Sequence, residues 1–332
     1  MTLQQLRYLI AIADSGLNIT LAAERVYATQ PGISKQLKQL EDELGLRIFT
    51  RKGKSLNSVT PAGQTIIERG RVILREAANI KALAADSRAD AKGAITIATT
   101  HTQARFVLPE TLARFRQRYP DVSLHIAQES DADIIAKVKS GAVEFGFNSS
   151  TGAASEGLIS LPAYRWQRVV LVPNDHPLSQ LKRPLQLADL AKYPLVSYDS
   201  SVQADSSLNQ AFREQGLSPK YAITARDADV IKTYVRAGMG VGILAEMAIG
   251  RDDLTELTAL PAPSAIPPCV TWVLLRHNTL LRRYGRQLLE WLTPHINQGE
   301  LEAIIAGQAS VHPLIDRTPR WSSGSIDIIK AA

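Results

Sequence analysis

Apolar residues near the start of the chain recur at spacings of three and four, the period of one face of a helix. A second helix is predicted to begin at Thr29 or Gln30, because Pro31 lacks the N–H that would have no partner in a first turn. The apolar stripe of the first helix comprises Ile19, Ala22, Ala23 and Val26, with Asn18 or Thr20 available as its cap. The buried face of the second comprises Ile33, Leu37, Leu40 and Leu44. The pattern predicts two short helices joined by a tight turn.

The second helix carries polar and cationic side chains opposite its apolar stripe. They are Gln30, Ser34, Lys35 and Lys38. Such side chains hydrogen-bond to base edges and phosphates, and a helix fits the major groove of DNA. This face is therefore predicted to contact DNA.

A basic hairpin is predicted beyond Gly45. The chain alternates apolar and basic residues, turns at Gly53 and returns to Val59. The tip carries Arg51, Lys52 and Lys54. Between residues 25 and 54 there are seven Lys or Arg against three acidic residues, an excess that favours phosphate contact and a salt-dependent affinity. A charge run alone often forms only a solvated surface, but the turn, the helix cap and the hairpin together predict a DNA-reading head with a basic wing.

A longer helix is predicted from Thr60 and Pro61 to about Arg88. Large and small residues alternate along one seam of it, which suits a partner helix. The seam comprises Ile66, Gly70, Ile73, Ala77, Ile80 and Ala84. At about 1.5 Å per residue the helix reaches roughly 40 Å, comparable to the ~34 Å between half-sites on one face of DNA. We predict a dimer through residues 60 to 88; the alternative is a helix that packs only on its own domain.

Short β-rich runs alternate with amphipathic helices beyond Gly93, which predicts an α/β unit with a mostly parallel sheet. The chain is expected to leave a first half near Ala163 and to return near Pro267, with a ligand cleft between two halves. The predicted strands span residues 94–98, 123–127, 145–148, 168–172, 195–198, 223–224, 240–244 and 270–275.

Hydroxyl and amide side chains follow three of these strands. Because a helix is predicted from Gln103 or Ala104 to Arg118, the first group lies at a helix N-terminus, where free N–H groups favour an anion or carboxylate. The groups are Thr99 to Gln103, then Ser149, Ser150 and Thr151, and then Ser200, Ser201 and Gln203. The alternative for any one group is that its hydroxyls only cap the next helix.

Composition narrows the classes of function. With 332 residues, 45% of them hydrophobic, the chain can bury a sizeable core, and the length suggests two or three domains. The net charge is +6. The single cysteine, Cys269, rules out an intramolecular disulfide framework and is expected to be buried packing. No signal-peptide pattern and no run of ~18 apolar residues occurs, so we expect a cytoplasmic protein without a membrane span.

Two rival classes are weighed against a gene regulator. An enzyme would need chemistry that the chain lacks: Cys269 is isolated, the six histidines show no metal-ligand spacing, and no Gly-x-Ser-x-Gly or phosphate-loop motif occurs. We therefore expect no catalytic residue, no metal and no cofactor. A solute-binding protein would share the cleft but requires export and has no use for residues 17 to 63.

The head resembles the winged helix-turn-helix of the LysR-type transcriptional regulators, and the resemblance extends from Leu3 to about Trp291. It rests on Ala22-Ala23, Gln30-Pro31, Ser34, Leu40-Glu41, Leu44-Gly45, Phe49, Arg51 and Thr60-Pro61-Ala62-Gly63. It implies base-edge and phosphate contacts from Thr29, Gln30, Pro31, Ser34, Lys35 and Lys38, with Arg51 entering or flanking the minor groove. It also implies a periplasmic-binding-protein-like effector domain, a homotetramer on promoter DNA and contact with RNA polymerase.

Further stretches resemble the CysB and Cbl subgroup of that family, which controls cysteine biosynthesis and the use of sulfur sources. They are Thr100 to Arg105, Tyr119-Pro120, His176-Pro177-Leu178, Tyr193 to Val196 and Asp227 to Arg236. The subgroup implies sulfate, O-acetylserine or N-acetylserine as the effector, surrounded by Thr100, Thr102, Gln103 and Ser149 with Trp166 nearby. Ser149 and Gln203 stand where the subgroup has threonine. The alternatives are an operon for another sulfur source, such as alkanesulfonate or taurine, and an unrelated metabolic operon.

The predicted domains follow from these patterns. Residues 1–59 form the winged helix-turn-helix, 60–90 the linker helix and 93–295 the effector domain. Within the latter, residues 93–163 and 267–295 form subdomain I and residues 164–266 form subdomain II. Residues 296–332 are assigned to a tail, in which residues 301 to 305 could extend a helix and the stretch from Gly307 onward is predicted to be irregular.

Overall fold

The computed structural model describes residues 1–53, 55–87, 92–151, 155–277 and 279–321. The chain divides into two compact units, Met1–Asp90 and Ala91–Ala332, here called the head and the effector unit. Lys54 of the predicted wing, residues 88–90 of the predicted long helix and residues 322–332 of the predicted tail lie outside the described residues. Within the described ranges, no helix combines the length and apolar character needed to cross a membrane.

Helix caps define the head. Asn18 Oδ1 accepts from the Leu21 N–H at 3.0 Å, and Thr29 Oγ1 accepts from the Gly32 N–H at 3.3 Å. Gly45 ends the second of these helices at φ 68°, a left-handed conformation that glycine adopts without strain. The elements in chain order are α1 Leu3–Asp14, α2 Ile19–Arg25, α3 Gln30–Leu44, β1 Phe49–Lys52, β2 Ser55–Val59 and α4 Pro61–Ser87.

A buried carboxylate connects α3 to the hairpin. Glu41 is 2% exposed and accepts from the N–H groups of Ile48 at 2.9 Å and Phe49 at 3.3 Å. The guanidinium of Arg47 donates to the same carboxylate at 3.0 Å. These donors offset the free-energy cost of burying a charge. Glu41 therefore holds the start of the antiparallel hairpin β1–β2 against α3.

The first turns of α4 pack closely on the head. Thr60 Oγ1 accepts from the Gly63 N–H at 2.9 Å and donates to Arg47 O at 2.8 Å, which ties the helix start to the hairpin base. A Cβ added to Gly63 would lie 2.2 Å from Ile48 O, so only glycine allows this approach.

Farther along α4, the residues of the predicted partner seam fall into two groups, one packed on the head and one exposed. Gly70 is buried, and a Cβ added there would lie 3.3 Å from Leu6, so this position packs on α1 of the same chain. The prediction that Gly70 belongs to a partner seam is therefore wrong. Ile73 is 39% exposed and Ile80 is 67% exposed, so the distal half of the helix presents apolar side chains to solvent.

Mixed α/β structure confirms the predicted fold class. The strands and helices of the effector unit are, in chain order, β3 Gly93–Thr99, α5 His101–Phe106, α6 Leu108–Arg118, β4 Val122–Gln128, α7 Asp131–Ser140, β5 Phe145–Ser150, β6 Ile159–Trp166, β7 Arg168–Pro173, α8 Leu187–Leu190, β8 Pro194–Tyr198, α9 Ser207–Glu214, β9 Lys220–Ala225, α10 Ala228–Arg236, β10 Val241–Ala245, β11 Leu257–Pro261, β12 Cys269–Leu275, α11 Arg283–Leu292, α12 Gln298–Ile305 and α13 His312–Arg317.

Two sheets organise these elements. One sheet has the strand order β4-β3-β5-β12-β6 and forms the first half of the unit, while the other has the order β11-β7-β10-β8-β9 and forms the second half. β3 runs parallel to β4 and β5, whereas β12 is antiparallel to both β5 and β6. In the second half β7 is antiparallel to both of its neighbours. Four of the five strands in each sheet therefore point in the same direction, and only β12 in the first half and β7 in the second run opposite, which agrees with the prediction of a mostly parallel sheet.

The chain crosses from the first sheet to the second at Gln167, between β6 and β7. The N–H of Gln167 donates to Glu246 Oε1 at 2.8 Å, and the Glu246 N–H donates to Gln167 O at 3.0 Å. Glu246 follows β10, so these bonds attach the crossing point to the second half. The return crossing lies between β11 and β12, close to the predicted Pro267.

Proline occurs at three places where the structure differs from the sequence prediction. β6 and β11 are absent from the predicted strands, and each contains a proline, Pro162 or Pro261. Both strands lie at sheet edges, where a missing N–H is tolerated. The single helix predicted up to Arg118 is two helices, since Pro109 in the first turn of α6 cannot continue the ladder of α5.

Within residues 307–321, the described part of the stretch predicted to be irregular, a short helix forms. This helix is α13, and its Leu314 is 2% exposed in the core of the first half. Leu301 and Ile304 of α12 enter the same core. These apolar side chains find partners only in the folded unit, which is why their local sequence does not predict a packed segment.

Candidate functional site

The start of α3 presents the predicted DNA-contacting side chains to solvent. Gln30 Nε2 donates to Ser34 Oγ at 3.3 Å, so these two side chains form one polar edge. Thr29, Gln30, Pro31, Lys35 and Lys38 are exposed, and Ser34 is half-buried. This surface has the polarity and charge needed to bind a DNA groove.

The wing carries its basic residues on the exposed edge of β1. Arg51 and Lys52 are exposed, and the guanidinium of Arg51 lies 3.7 Å from the buried Glu41 carboxylate. Glu41 therefore attracts Arg51 toward the α3 side of the wing, where it also holds the hairpin backbone.

Five of the predicted effector residues lie in the first half, and three of them share one hydrogen-bonded network. Gln103 is 1% exposed, and its Nε2 donates to Ser149 Oγ at 3.4 Å and to Thr271 Oγ1 at 3.3 Å. Ser149 and Thr271 hydroxyls lie 2.9 Å apart. The indole N–H of Trp166 donates to both, at 3.3 Å to Ser149 and 3.1 Å to Thr271. The structure thus brings Gln103, Ser149 and Trp166 together around Thr271.

A tyrosine completes this network. The Tyr164 hydroxyl donates to Gln103 Oε1, which leaves the Gln103 amide N–H₂ directed at Ser149 and Thr271. Burial raises the pKa of Tyr164 well above its usual range, so the hydroxyl stays protonated and remains a donor. Every donor in this network is therefore neutral at ordinary pH.

Thr100 and Thr102 lie at the start of α5, beside the network. Thr100 is the N-cap residue, and its side chain makes no capping bond to the helix. Thr102 is 7% exposed, and its hydroxyl donates at 3.3 Å to the hydroxyl of Tyr198 at the end of β8. Tyr198 also accepts from the Ala245 N–H at 3.3 Å, and burial raises the pKa of its hydroxyl. Thr102 therefore joins the first half of the unit to the second.

Buried polar groups without partners flank the network. Thr99 Oγ1 has no hydrogen-bond partner among the described residues, although Thr99 is 0% exposed. Thr99 pairs with Phe147 and thus shares a sheet face with Ser149, two residues on. Asp131 accepts from the Ser149 backbone, and burial raises the pKa of this carboxyl. An unpaired buried hydroxyl costs free energy unless something binds it.

The third predicted group, after β8, is arranged differently. Ser201 is 5% exposed and accepts at 2.9 Å from Ser197, so its hydroxyl holds the local turn. Gln203 is exposed, and within the described residues no side-chain hydrogen bond joins it to Gln103 or Ser149. The second half contributes Tyr198 to the contacts of Thr102 instead.

An ion-pair cluster lies next to His101. Arg105 binds Asp229 at 2.7 Å, which joins α5 of the first half to α10 of the second. Ligand atoms of His101, Asp227 and Asp229 lie within 4.8 Å of one another, a spacing not evident in the sequence. Asp227 caps α10 by accepting from the Val230 N–H, and Lys232 also binds Asp229. Because cations already neutralise Asp229, we interpret the cluster as an electrostatic tie between the halves.

Sequence patterns missed three residues of the site. Tyr164 lies in β6, which was not predicted, and Thr271 lies inside β12, where nothing marks an inward hydroxyl as functional. Tyr198 was noted only as the end of a strand. A polar residue at an inward position of an otherwise apolar strand is the one local signal that could have pointed to Thr271.

A helix-turn-helix head together with a two-sheet α/β unit that holds a buried polar network defines the class of ligand-responsive DNA-binding proteins. Residues 3–64 match the family described as "Bacterial regulatory helix-turn-helix protein, lysR family", and residues 88–297 match "LysR substrate binding domain". The chain belongs to the LysR family of DNA-binding transcriptional regulators. This confirms the prediction of a regulator rather than an enzyme.

Relatives confirm the predicted resemblance to the CysB and Cbl subgroup. The chain is 43% identical to the HTH-type transcriptional regulator CysB of Haemophilus influenzae, over 91% of this chain and 93% of the relative. It is 38% identical to CysB of Burkholderia cenocepacia, over 95% and 100% respectively. The crystal structure of the cofactor-binding domain of the Cbl transcriptional regulator is 33% identical with a TM-score of 0.57, covering 69% of this chain and 94% of that one.

Proposed function

We propose that this protein regulates genes of cysteine biosynthesis and sulfur assimilation in response to sulfate, O-acetylserine or N-acetylserine bound in the cleft of the effector unit. Thr100, Thr102, Gln103, Ser149 and Trp166 surround the effector in this proposal, and Gln203 lines the opposing loop. The domain boundaries predicted from the sequence, 1–59, 60–90, 93–295 and 296–332, remain part of the same proposal.

The observation that carries this proposal is the buried network around Gln103. Gln103 and Trp166 supply N–H donors, and Ser149 and Thr102 supply hydroxyls that can rotate to donate. A fully ionised oxyanion offers acceptors only, so a group of neutral donors matches it without requiring a buried cation. The unpaired Thr99 hydroxyl on the same face supports a ligand there.

A titration tests the effector. The full-length protein is titrated with sulfate, O-acetylserine, N-acetylserine and thiosulfate while its thermal unfolding is followed. A cleft ligand at ~100 times its Kd stabilises the folded state by about 2.7 kcal/mol. An upward shift of Tm with one of these ligands supports the proposal. If Tm does not shift with any of the four ligands, the proposed effectors are wrong, but the assignment as a DNA-binding regulator still holds.

Two Thr102 variants separate ligand binding from folding. Thr102→Leu removes the hydroxyl that reaches Tyr198 and fills the space beside it, so we expect the ligand response to be lost while DNA affinity stays nearly intact. Thr102→Ser keeps the hydroxyl and serves as the control. Loss of DNA affinity together with the ligand response in the leucine variant would indicate misfolding and contradict the assignment.

The DNA contacts belong to the proposal as well. Thr29, Gln30, Pro31, Ser34, Lys35 and Lys38 read base edges and phosphates, and Arg51, Lys52 and Lys54 of the wing bind the adjacent backbone or minor groove. Their exposure, where the structure describes them, supports this. In the cytoplasm, ligand occupancy then shifts the arrangement of heads along promoter DNA and thereby changes contact with RNA polymerase. This effect requires that the ligand binds one arrangement of the heads more tightly than another.

We infer that the protein is a dimer through α4 and a tetramer through further effector-unit contacts. The exposed Ile73 and Ile80 support this, because pairing α4 with a second copy would remove their apolar surface from water. Size-exclusion chromatography with light scattering is expected to give a tetramer. A monomer at working concentration would contradict the inference.

A regulator of another sulfur source is the second candidate. Gln203 favours it, because a long amide stands where the subgroup has threonine, and the longer side chain changes which effector the opposing loop accepts. A reporter assay with sulfate, taurine or an alkanesulfonate as the only sulfur source distinguishes the two.

A further inference from the structure

Residues 298–321, here called the C-terminal segment, lie beyond the 88–297 match to the LysR substrate binding domain. The segment is nevertheless built into the first half. Asn297 and Glu300 cap α12 reciprocally, at 2.9 Å and 3.1 Å. Arg317 of α13 binds Glu300 at 2.7 Å, so the two helices are tied together. Their buried leucine and isoleucine side chains anchor the segment on the core.

The end of this segment extends the first sheet. The Arg165 N–H donates to Pro319 O at 2.8 Å, and the Trp321 N–H donates to Arg165 O at 2.6 Å, so Arg320 forms a parallel bridge with Arg165. The Arg165 guanidinium also donates to Ile315 O. β6 is an edge strand, and the segment therefore satisfies backbone groups that a bare edge would expose.

This edge leads directly to the effector network. The rings of Trp321 and Tyr164 lie 5.1 Å apart at 51°, and the Tyr164 hydroxyl is the group that orients Gln103. One side chain thus separates the C-terminal segment from the network. Tyr164 is 8% exposed, so its ring depends on packing for its position.

The same segment also reaches the second half. Arg320 lies 3.6 Å from Glu246 Oε2, while the other oxygen of Glu246 accepts from Gln167, where the chain crosses between the sheets. The Glu246 side chain is 10% exposed and the Arg320 side chain is 63% exposed, so Arg320 reaches a buried carboxylate from the surface. The segment is therefore bound to the first half by its backbone and to the second half by Arg320.

We propose that the C-terminal segment positions the effector site: Trp321 holds the Tyr164 ring, and Arg320 ties the crossing point between the two halves. Both are positioning residues, acting through Tyr164 and Glu246. The identity of the ligand in this inference rests on the proposed function, whereas the contacts of Trp321 and Arg320 do not depend on it. It gives a role to residues that the sequence assigned to a tail.

Matched variants of the full-length protein test this. Sulfate affinity is measured by isothermal titration calorimetry for Trp321→Ala and Trp321→Phe, with Leu314→Ala as a control that trims a buried side chain of the segment and keeps the ring contact between Trp321 and Tyr164. An aromatic pair contributes enough that its loss weakens binding by roughly two- to tenfold. We expect that loss for the alanine variant, and Kd values within about twofold of wild type for the phenylalanine variant and for Leu314→Ala. Arg320→Gln is expected to weaken binding as well, whereas Arg317→Gln is not.

Hydrogen exchange of the ligand-free protein supplies a second readout. Amides of residues 100–107 and 159–166 are expected to exchange faster in Trp321→Ala than in Leu314→Ala. Unchanged sulfate affinity and unchanged exchange in Trp321→Ala would overturn the inference, as would equal losses in Trp321→Ala and Leu314→Ala, which indicate a merely structural role. If wild type does not bind sulfate, sulfate is not the effector, and the exchange comparison alone decides the role of the segment.

Discussion

Replacing Thr271 by valine removes one hydroxyl from the centre of the effector network without changing its volume much. Thr271 is 0% exposed, and its Oγ1 contacts Ser149 at 2.9 Å, Trp166 at 3.1 Å and Gln103 at 3.3 Å. Among the described residues, no other single side-chain atom lies within hydrogen-bond distance of three predicted effector residues. The variant therefore tests whether the network holds the site together.

The magnitude follows from what each partner retains. The N–H groups of Trp166 and Gln103 also reach Ser149 Oγ, at 3.3 Å and 3.4 Å, so neither donor is left without an acceptor. The loss is then one short hydrogen bond and the weakening of two others, about 1–3 kcal/mol in the free energy of unfolding of the effector unit. Displacement of the same donors is expected to weaken sulfate binding by roughly 5- to 100-fold.

Urea unfolding followed by tryptophan fluorescence measures the first quantity, and calorimetric titration with sulfate measures the second. Thr271→Ser is the matched control, since it keeps the hydroxyl and loses one methyl group, at a cost of about 1 kcal/mol or less. If the valine and serine variants unfold at the same urea concentration and bind sulfate equally well, the hydroxyl has no part in holding the site and the reasoning fails.

Three further predictions concern the head and the stability of the effector unit. Glu41→Leu leaves two backbone N–H groups and the Arg47 guanidinium without their acceptor, so urea titration should show the head destabilised by about 3 kcal/mol, and an unchanged midpoint would contradict this. Lys35→Ala is expected to lower the slope of log affinity against log salt by about 1 in a DNA-binding titration, whereas a phosphate-independent role leaves the slope unchanged. Hydrogen bonding from Arg183 lowers the pKa of Asp189 from its ordinary value of 3.8 to about 2. This carboxylate therefore stabilises the fold above about pH 4, and that contribution is lost as the pH falls toward 2. Acid titration should show this loss in wild type and not in Asp189→Asn.

The head is the part of the molecule that its sequence predicts most completely. Asn18 and Thr29 cap the helices that their positions indicated, and Gly45 ends α3 in the left-handed conformation. Caps, turns and apolar stripes act between residues three or four apart, so local sequence is sufficient to determine them. Glu41 is the exception: its role depends on Ile48 and Phe49 being folded back onto α3, which no local pattern states.

In the effector site too, some residues could be predicted from local sequence and others could not. Gln103 and Ser149 could be predicted because polar residues after apolar strands meet at one edge of a sheet. Thr271 and Tyr164 could not, since they lie 168 and 61 residues from Gln103 and reach it only through the pairing of β12 with β5 and β6. The sequence alone therefore determined the class of protein, its DNA-reading head and the start of its cleft. Tertiary structure decided which buried groups hold the cleft, how the strands return and where the C-terminal segment packs, because those contacts join residues that only the folded chain brings together.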